Sequence, residues 1–470
     1  METQPLAPRP ASIFEQFNNW LRTSTLLKIC VIGFLILLLL IPTSMLQSLI
    51  NEREQTRNVA VQEVSGKWGN AQTIAGPVLS VPVRSVIKDD KGKESVTVYY
   101  ANFLPDDLTI AGSVQPEQRH RGIYTVMLYN TRLKLKGRFP KPDLDKLNIG
   151  TDQPQWDRAF LSVGISDMKG IKEAIGFRVN GVTLPVDPGI PTDEWFPVGV
   201  SIPLSLSAGA GGFTFDCDLN VNGSTELSFV PLGKETNVSL TSPWSTPSFT
   251  GAFLPDQRTV SEKGFGAAWK ILQYNRNFPQ QGVGAFFVQE RSDPDQGKVI
   301  PSPNFGVKLL LPVDEYQKTT RSAKYAVMFI IITFSVFFFV EILNKKRIHP
   351  IQYLLVGFAV CLFYLLLLSI SEHLSFDRAY LIGMGVVLTL VTFYVRYVFK
   401  NTQLTILFSG ILALLYGFFY SLLQLEDYAL LLGTAGLVLI LGIIMYLTRN
   451  VNWYRAYEPT GQLNSQIVNS

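Results

Sequence analysis

The sequence predicts a membrane protein with six transmembrane α-helices, one near the N-terminus and five towards the C-terminus. A large β-rich extracytoplasmic domain is expected between spans 1 and 2. Three observations carry that reading. From 325 to 448 the chain is nearly continuous hydrocarbon, cut by short polar breaks into segments 325–343, 351–371, 379–398, 404–425 and 428–448. A sixth apolar run occupies 29–50. Between these anchors apolar and polar residues alternate at period two, with Gly and Pro recurring, as in half-buried strands joined by turns.

Residues 1–28 read as a cytoplasmic N-terminal segment. Pro5, Pro8 and Pro10 make its start irregular. Ile13, Phe14, Phe17, Trp20 and Leu21 then recur at helical spacing opposite Glu15, Gln16, Asn18 and Asn19, an amphipathic helix suited to the inner leaflet. Residues 29–50 form transmembrane helix 1. The run is long and no small-x-small cleavage site follows Pro42, so it is expected to stay as a signal anchor. Residues 51–76 continue as a helical stalk: no Pro precedes Trp68, and Ile50, Arg57, Val61, Val64 and Trp68 recur at threes and fours. Gly69 and Gly76-Pro77 are expected to end it.

Residues 77–318 are the expected extracytoplasmic β-rich domain. Phe213, Phe215, Cys217, Leu219 and Val221 alternate with Thr214, Asp216, Asp218 and Asn220. Asn222-Gly223 then reads as a tight hairpin turn returning to Leu227 and Phe229. Asn180-Gly181 and Lys91-Gly92 predict further hairpins, and Tyr124–Lys136 and Val96–Phe103 further strands. Helical periodicity shows only at 264–274. One antiparallel sandwich or two packed β subdomains would satisfy this pattern.

Residues 325–448 are a five-helix bundle and 449–470 a cytoplasmic tail. Hydrocarbon offers backbone polar groups no partner, so each apolar segment must be helical. Arg9, Arg22, Lys28, Lys345, Lys346, Arg347, Arg396, Lys400, Arg449 and Arg455 fall in the loops of one side, against Arg378 alone in the short loops of the other. Both termini are therefore expected in the cytoplasm and the insert outside. The helices carry no ionisable residue at mid-depth, as ion-coupled transport would require. Gly383, Gly385, Gly410, Gly417, Ala429, Gly433 and Gly436 instead suggest close packing in an anchor or scaffold.

Composition limits the chemistry. Hydrophobic residues make up 47% of the chain and charged ones 17%, a balance that suits part membrane, part folded domain. Acidic and basic residues nearly cancel in the insert, so nucleic acid is not an expected partner. The expected partners are the lipid bilayer and other envelope proteins. Cys30 and Cys361 lie in apolar segments, which leaves Cys217 alone outside, without a disulfide and on the apolar parity of its strand. The insert's one histidine, His120, sits in the charged stretch EQRHR and reads as a solvated loop residue. Neither HExxH, GxSxG nor a phosphate-cradling Gly loop is present. No catalytic residue, cofactor or metal site is predicted, and the chain is not expected to be an enzyme. The PWSTPSF run at 243–249 reads as a buried β corner rather than a ligand-facing loop.

One cluster stands out. Glu372 and His373 close the third span, and Glu426 and Asp427 open the sixth, all at one membrane face. Arg53 and Arg57 are the nearest basic groups a continuous stalk would project. These six residues are the candidate domain–bundle contact, with His373 as a pH-sensitive member; the simpler alternative is ordinary wet loop charge.

The order Glu52-Arg53, Arg57, Trp68-Gly69, Gln72, Gly76-Pro77-Val78-Leu79 and Val81-Pro82 resembles the opening of the CreD family of bacterial inner-membrane, cell-envelope integrity proteins. The resemblance returns at 231–255, at GFGAAW…NRNFPQ (264–280), at RIHPIQYLLVGFA (347–359), at LSISEHLSF (368–376), at LLQLEDYALLLG (422–433) and at TRNVNWY (448–454). Val83 departs from the aromatic residue expected after Pro82. The resemblance covers nearly the whole chain, including the rim charges. It implies a role in envelope integrity and in tolerance of envelope stress, β-lactams and colicins, as a non-enzymatic scaffold. Two alternatives stay open: an envelope receptor binding a small ligand or glycan through its β domain, and a component of export or lipid handling.

Overall fold

The computed structural model describes residues 25–88, 94–147, 149, 153–192, 194–207, 209–286, 303–310, 315–344, 348–425 and 428–449. The chain divides into two compact units, Met1–Gln55 with Asp314–Ser470, and Thr56–Val313. The amphipathic helix expected at 13–21, the Lys91-Gly92 turn and the tail beyond Arg449 lie outside the described residues.

The membrane unit is helical. Helix α1 (Thr25–Trp68) runs unbroken through 44 residues and passes from one unit into the other at Gln55. The rest are α2 (Glu315–Lys324), α3 (Ala326–Leu343), α4 (Pro350–Ser371), α5 (Phe376–Phe399), α6 (Thr402–Gln424) and α7 (Ala429–Thr448). All except α2 are long and apolar enough to cross a bilayer, so six spans in a one-plus-five arrangement bracket the β-rich region, as predicted. Local chemistry sets the boundaries. Pro350 occupies the first turn of α4, where its missing N–H costs nothing, and the His349 ring accepts from the Ile351 N–H. Asn401 caps α6 by accepting from Gln403 N and Leu404 N. Rings fill the middle of the bundle: Tyr416 lies 4.5 Å from Phe329 and 4.8 Å from Phe363, centroid to centroid. The Tyr380 hydroxyl donates to the Tyr416 carbonyl at 2.8 Å.

Small residues serve packing only in places. A Cβ on Gly383 would touch Phe363, and one on Gly436 would collide with Phe418, but Gly385, Gly410 and Gly417 face no neighbour. Gly357, which the sequence reading did not single out, lies against Leu39 of α1 and Phe334 of α3.

The second unit is a β sandwich. In chain order its strands begin β1 (Gln72–Lys88), β2 (Glu94–Phe103), β3 (Asp107–Arg121), β4 (Tyr124–Phe139), β5 (Gln153–Pro154) and β6 (Phe160–Ile165). Next come β7 (Gly176–Val179), β8 (Val182–Leu184), β9 (Asp187–Pro188), β10 (Gly199–Pro203), β11 (Phe213–Ser224) and β12 (Glu226–Phe229). The last are β13 (Glu235–Ser242), β14 (Pro247–Gly251), β15 (Gln257–Ser261), β16 (Gly264–Leu272), β17 (Gln281–Val283) and β18 (Phe305–Leu309). One sheet has the order β15-β16-β13-β3-β4-β11-β7-β8. The other runs β14-β18-β12-β1-β6-β10-β9, with β2, β5 and β17 added at β1 and β2. Pairing is antiparallel except for β1 with β12 and β3 with β13.

A single core joins the two sheets. Ile74, Leu79, Leu161 and Phe305 of one meet Leu108, Leu135, Phe215 and Trp269 of the other, so this is one sandwich and not two subdomains. The parity read at 213–221 is the parity buried: Phe213, Phe215, Cys217, Leu219 and Val221 face inward. The Asn180-Gly181 turn joins β7 to β8 with φ of 48° and 82°, the left-handed pair that a two-residue hairpin demands.

Four local expectations are overturned. Asn222-Gly223 is not a turn: β11 runs straight through it to Ser224, paired residue by residue with β4. Gly223 is needed because a Cβ there would run into the Tyr129 ring, and Asn222 is buried with its carbonyl accepting from Gln72 Nε2 at 3.0 Å. The reversal comes at Thr225 (φ 58°), where the chain leaves one sheet and β12 joins the other. The helical periodicity at 264–274 is likewise overridden, since Phe265, Ala267, Trp269 and Ile271 all face the core of strand β16. His120 sits on strand β3, exposed, and not in a loop. The strand β1 also begins at Gln72, inside the segment assigned to the stalk, because α1 stops at Trp68 where Gly69 takes a positive φ of 145°.

Candidate functional site

Two ion pairs of the membrane unit lie along α1. At the first, Glu341 of α3 is 3% exposed yet fully engaged. Its Oε1 accepts from Lys28 Nζ at 2.6 Å and from the Ile348 N–H at 3.3 Å. Its Oε2 accepts from the Tyr353 hydroxyl at 2.9 Å. Three donors from α1, α4 and the loop before α4 thus converge on one carboxylate of α3. A carboxylate in such surroundings survives as an anion only when paired and hydrogen-bonded.

The second place is the rim where α4 turns into α5. Glu372, 12% exposed, accepts from the Tyr316 hydroxyl of α2 at 3.1 Å and lies 3.8 Å from Arg53 Nε of α1. Helix α2 lines this rim. Its Tyr316, Thr319, Ser322 and Ala323 are buried, while Lys318 Nζ stands 5.7 Å over the Phe376 ring. Arg321 Nη2 donates to the Leu425 carbonyl at the end of α6 at 3.2 Å. Gln424 also reaches Asp377, tying α6 to the first turn of α5.

Of the six residues singled out by sequence, Arg53 and Glu372 come together. His373 is exposed in the turn after α4, its N–H donating to the Ile370 carbonyl. Arg57 belongs to the other unit, and Glu426 and Asp427 lie outside the described residues. Because Arg53 and Glu372 share one unit, their contact ties the anchor helix to its own bundle. Sequence reasoning missed Tyr316, Glu341, Tyr353 and the pairing of Lys28. The signal was available: an acid two residues inside the end of an apolar span requires a partner.

In the β unit the unusual groups are structural. Arg276, 8% exposed, has no carboxylate partner among the described residues and donates to the carbonyls of Phe278 (2.9 Å), Leu232 (3.2 Å) and Gly233 (3.4 Å). Burial pulls its guanidinium down to about 10, which still leaves it charged at neutral pH. Cys217 is buried and free, and desolvation pushes its thiol up to about 12. Trp244 of the 243–249 run donates to the carbonyls of Thr246 and Leu310, and Phe249 packs on Phe265 and Trp269, so that run is a corner, though a half-buried to exposed one and not the buried one expected. Among the described residues no three His, Cys, Asp or Glu side chains come together as metal ligands would.

Comparison with known proteins gives one extended match. The family described as "Inner membrane protein CreD" matches residues 24–454. The curated Inner membrane protein CreD of Escherichia coli is 35% identical over 92% of this chain and 94% of its own length. Among solved structures, a substrate-bound M1 zinc metallopeptidase from Deinococcus radiodurans is 14% identical over 41% of this chain and 44% of its own, with a TM-score of 0.20. Native yeast LTA4 hydrolase is 8% identical over 50% of this chain and 35% of its own, with a TM-score of 0.18. Likenesses this slight bear on neither fold nor chemistry.

Proposed function

Since the chain belongs to the CreD family of inner membrane proteins, we propose that it supports cell-envelope integrity as a non-enzymatic scaffold, including tolerance of β-lactams and colicins. Both termini lie in the cytoplasm in this reading, and the β unit faces the periplasm. One observation favours it above the alternatives. The two shielded carboxylates described in the membrane unit are spent on holding helices: Glu341 binds Lys28, Tyr353 and the Ile348 N–H, and Glu372 meets Tyr316 and Arg53. Acids engaged by several helices at once serve to hold those helices together, which suits a scaffold.

The test uses cells lacking their own family member. Full-length protein should restore resistance to β-lactam killing and to detergent leakage. Lys28→Ala, which leaves Glu341 without its counter-charge, should fail at equal protein level. Orientation is read separately, in a background without Cys30 and Cys361. An impermeant maleimide should label Lys263→Cys, in the exposed β15–β16 turn, on spheroplasts, and should not label Lys346→Cys. Unaltered sensitivity of the null cells would refute the envelope role, and the reverse labelling would refute the topology.

A further inference from the structure

The outer face of the eight-stranded sheet carries a band of unusual composition. Cross-strand register aligns Thr259, Gly266, Thr241 and Ser113 of β15, β16, β13 and β3 in one row. Gln257, Ala268, Ser239 and Ala111 form the next row on the same strands. All eight are small or bear a hydroxyl or amide, and none is charged. Elsewhere the same face is ordinary: Lys270 pairs with Glu235 at 3.0 Å and Arg138 with Asp107 at 3.2 Å. Two adjoining shallow cavities, about 530 and 470 Å³, lie over the band, the first reaching Asp256 and Lys270 and the second Lys263.

Glycine weakens a strand, and in mid-strand it marks where a ligand or another backbone comes close. Gly266 and Ala268 belong to the GFGAAW stretch, whose other parity supplies Phe265, Ala267 and Trp269 to the core. One side of that strand is explained by packing, and the other is not. The two rows end on β4, where register places Arg132 beside Ser113 and Lys134 beside Ala111. Lys136 meets Asp216 at 3.5 Å and Lys134 meets Asp218 at 3.9 Å, whereas Arg132 stands between Ser113 and Asn220 with no acid opposite. From β15 to β4 the band crosses four interstrand steps, about 19 Å.

We propose that this band binds a carboxylated glycan chain laid across the strands. Its hydroxyls meet the Thr, Ser and Gln side chains over the low floor of Gly266 and Ala268, and a carboxylate meets Arg132. Charge complementarity selects that ligand: a guanidinium takes a carboxylate through paired N–H donors, and neutral hydroxyls suit a polyol better than a peptide surface or a lipid. The proposal goes beyond the scaffold role and concerns the β unit alone.

Titration calorimetry and saturation-transfer NMR on the full chain in nanodiscs would use three probes: an oligogalacturonate, the neutral maltoheptaose, and inorganic polyphosphate. The oligogalacturonate should bind, and maltoheptaose should bind at least tenfold more weakly. Arg132→Gln, and separately Ala268→Gln with Ser239→Gln, should each weaken oligogalacturonate binding tenfold or more at unchanged thermal stability. Thr241→Val with Thr259→Val, which keeps side-chain shape, should lower affinity too and covers the case in which the glutamine variants misfold. Absence of oligogalacturonate binding would overturn the proposal. So would binding that survives filling of the band, or polyphosphate binding as tightly with the same insensitivity, since either would mean charge attraction only.

Discussion

Removing the two members of the Lys28–Glu341 pair should have unequal effects. The carboxylate is 3% exposed and the lysine side chain 37%. Lys28→Ala strips the counter-charge from the buried partner, leaving only the Tyr353 hydroxyl and the Ile348 N–H to hold it. Breaking a buried pair in that sense costs about 3–5 kcal/mol, and access of water to the lysine end argues for the bottom of the range. Glu341→Gln leaves a lysine that can turn to water and keeps an oxygen for a remaining donor, so its cost is about 1 kcal/mol, the value of an ordinary hydrogen bond. The double variant should resemble Glu341→Gln alone, a coupling of about 3 kcal/mol. Reversible unfolding in mixed detergent micelles with rising SDS, followed by tryptophan fluorescence, measures all four species. Equal losses in the two single variants, or a neutral Lys28→Ala, would refute the view of Glu341 as a buried anion dependent on α1.

The remaining predictions concern the β unit. Arg276→Lys should destabilise it by about 2–3 kcal/mol, because one ammonium cannot reach carbonyls on both sides of the 232–233 and 278 loops; an unchanged melting temperature would mean that those bonds are incidental. Gly223→Ala should cost about 2–3 kcal/mol by forcing a methyl into Tyr129, whereas a glycine in a solvent-facing turn would tolerate it. Cys217 should resist maleimide until the unit unfolds. Its thiol ionises near 9 when unfolded and near 12 when folded, so its contribution is intact below pH 9 and is lost as pH rises from 9 towards 12. Alkaline denaturation of Cys217→Ala should therefore begin at higher pH, and an identical alkaline limb would contradict the burial.

What could be read in advance followed from the strength of each physical signal. The six spans were legible because hydrocarbon tolerates only long apolar helices, and the inward parity of β11 because alternation is set by the pleat. Asn222-Gly223 misled because turn chemistry is local, whereas the close approach of Tyr129 to Gly223 comes from a strand 94 residues earlier in the chain. The same holds for β16, whose glycines and alanines leave the period ambiguous until Phe265 and Trp269 find Phe249 across the sandwich. At the rim, charge pattern alone brought Arg53 and Glu372 to notice, but a tyrosine donor such as Tyr316 leaves no mark in a charge count. Lys28 was counted as a loop charge for orientation, which hid its second use as the partner of Glu341.

The two pairs on α1 also explain each other. Lys28 and Arg53 are 25 positions apart, about 37 Å along a helix at 1.5 Å per residue. That separation exceeds the ~30 Å hydrocarbon core and approaches the thickness including headgroups, so each pair sits where a charge can still touch water. Apolar helices in lipid gain nothing from hydrophobic burial against one another. The apolar window of α1 is only 22% buried, which leaves little side-chain interlocking to prevent it from sliding or turning. A slip of one helical turn would carry Lys28 about 5.4 Å from Glu341 and Arg53 as far from Glu372. Only one register satisfies both carboxylates, just as a single buried polar contact fixes register in a coiled coil. These pairs therefore contribute less to holding α1 against the bundle than to fixing its depth and rotation there. The helix so fixed is the one whose far end, from Thr56 to Trp68, belongs to the β unit.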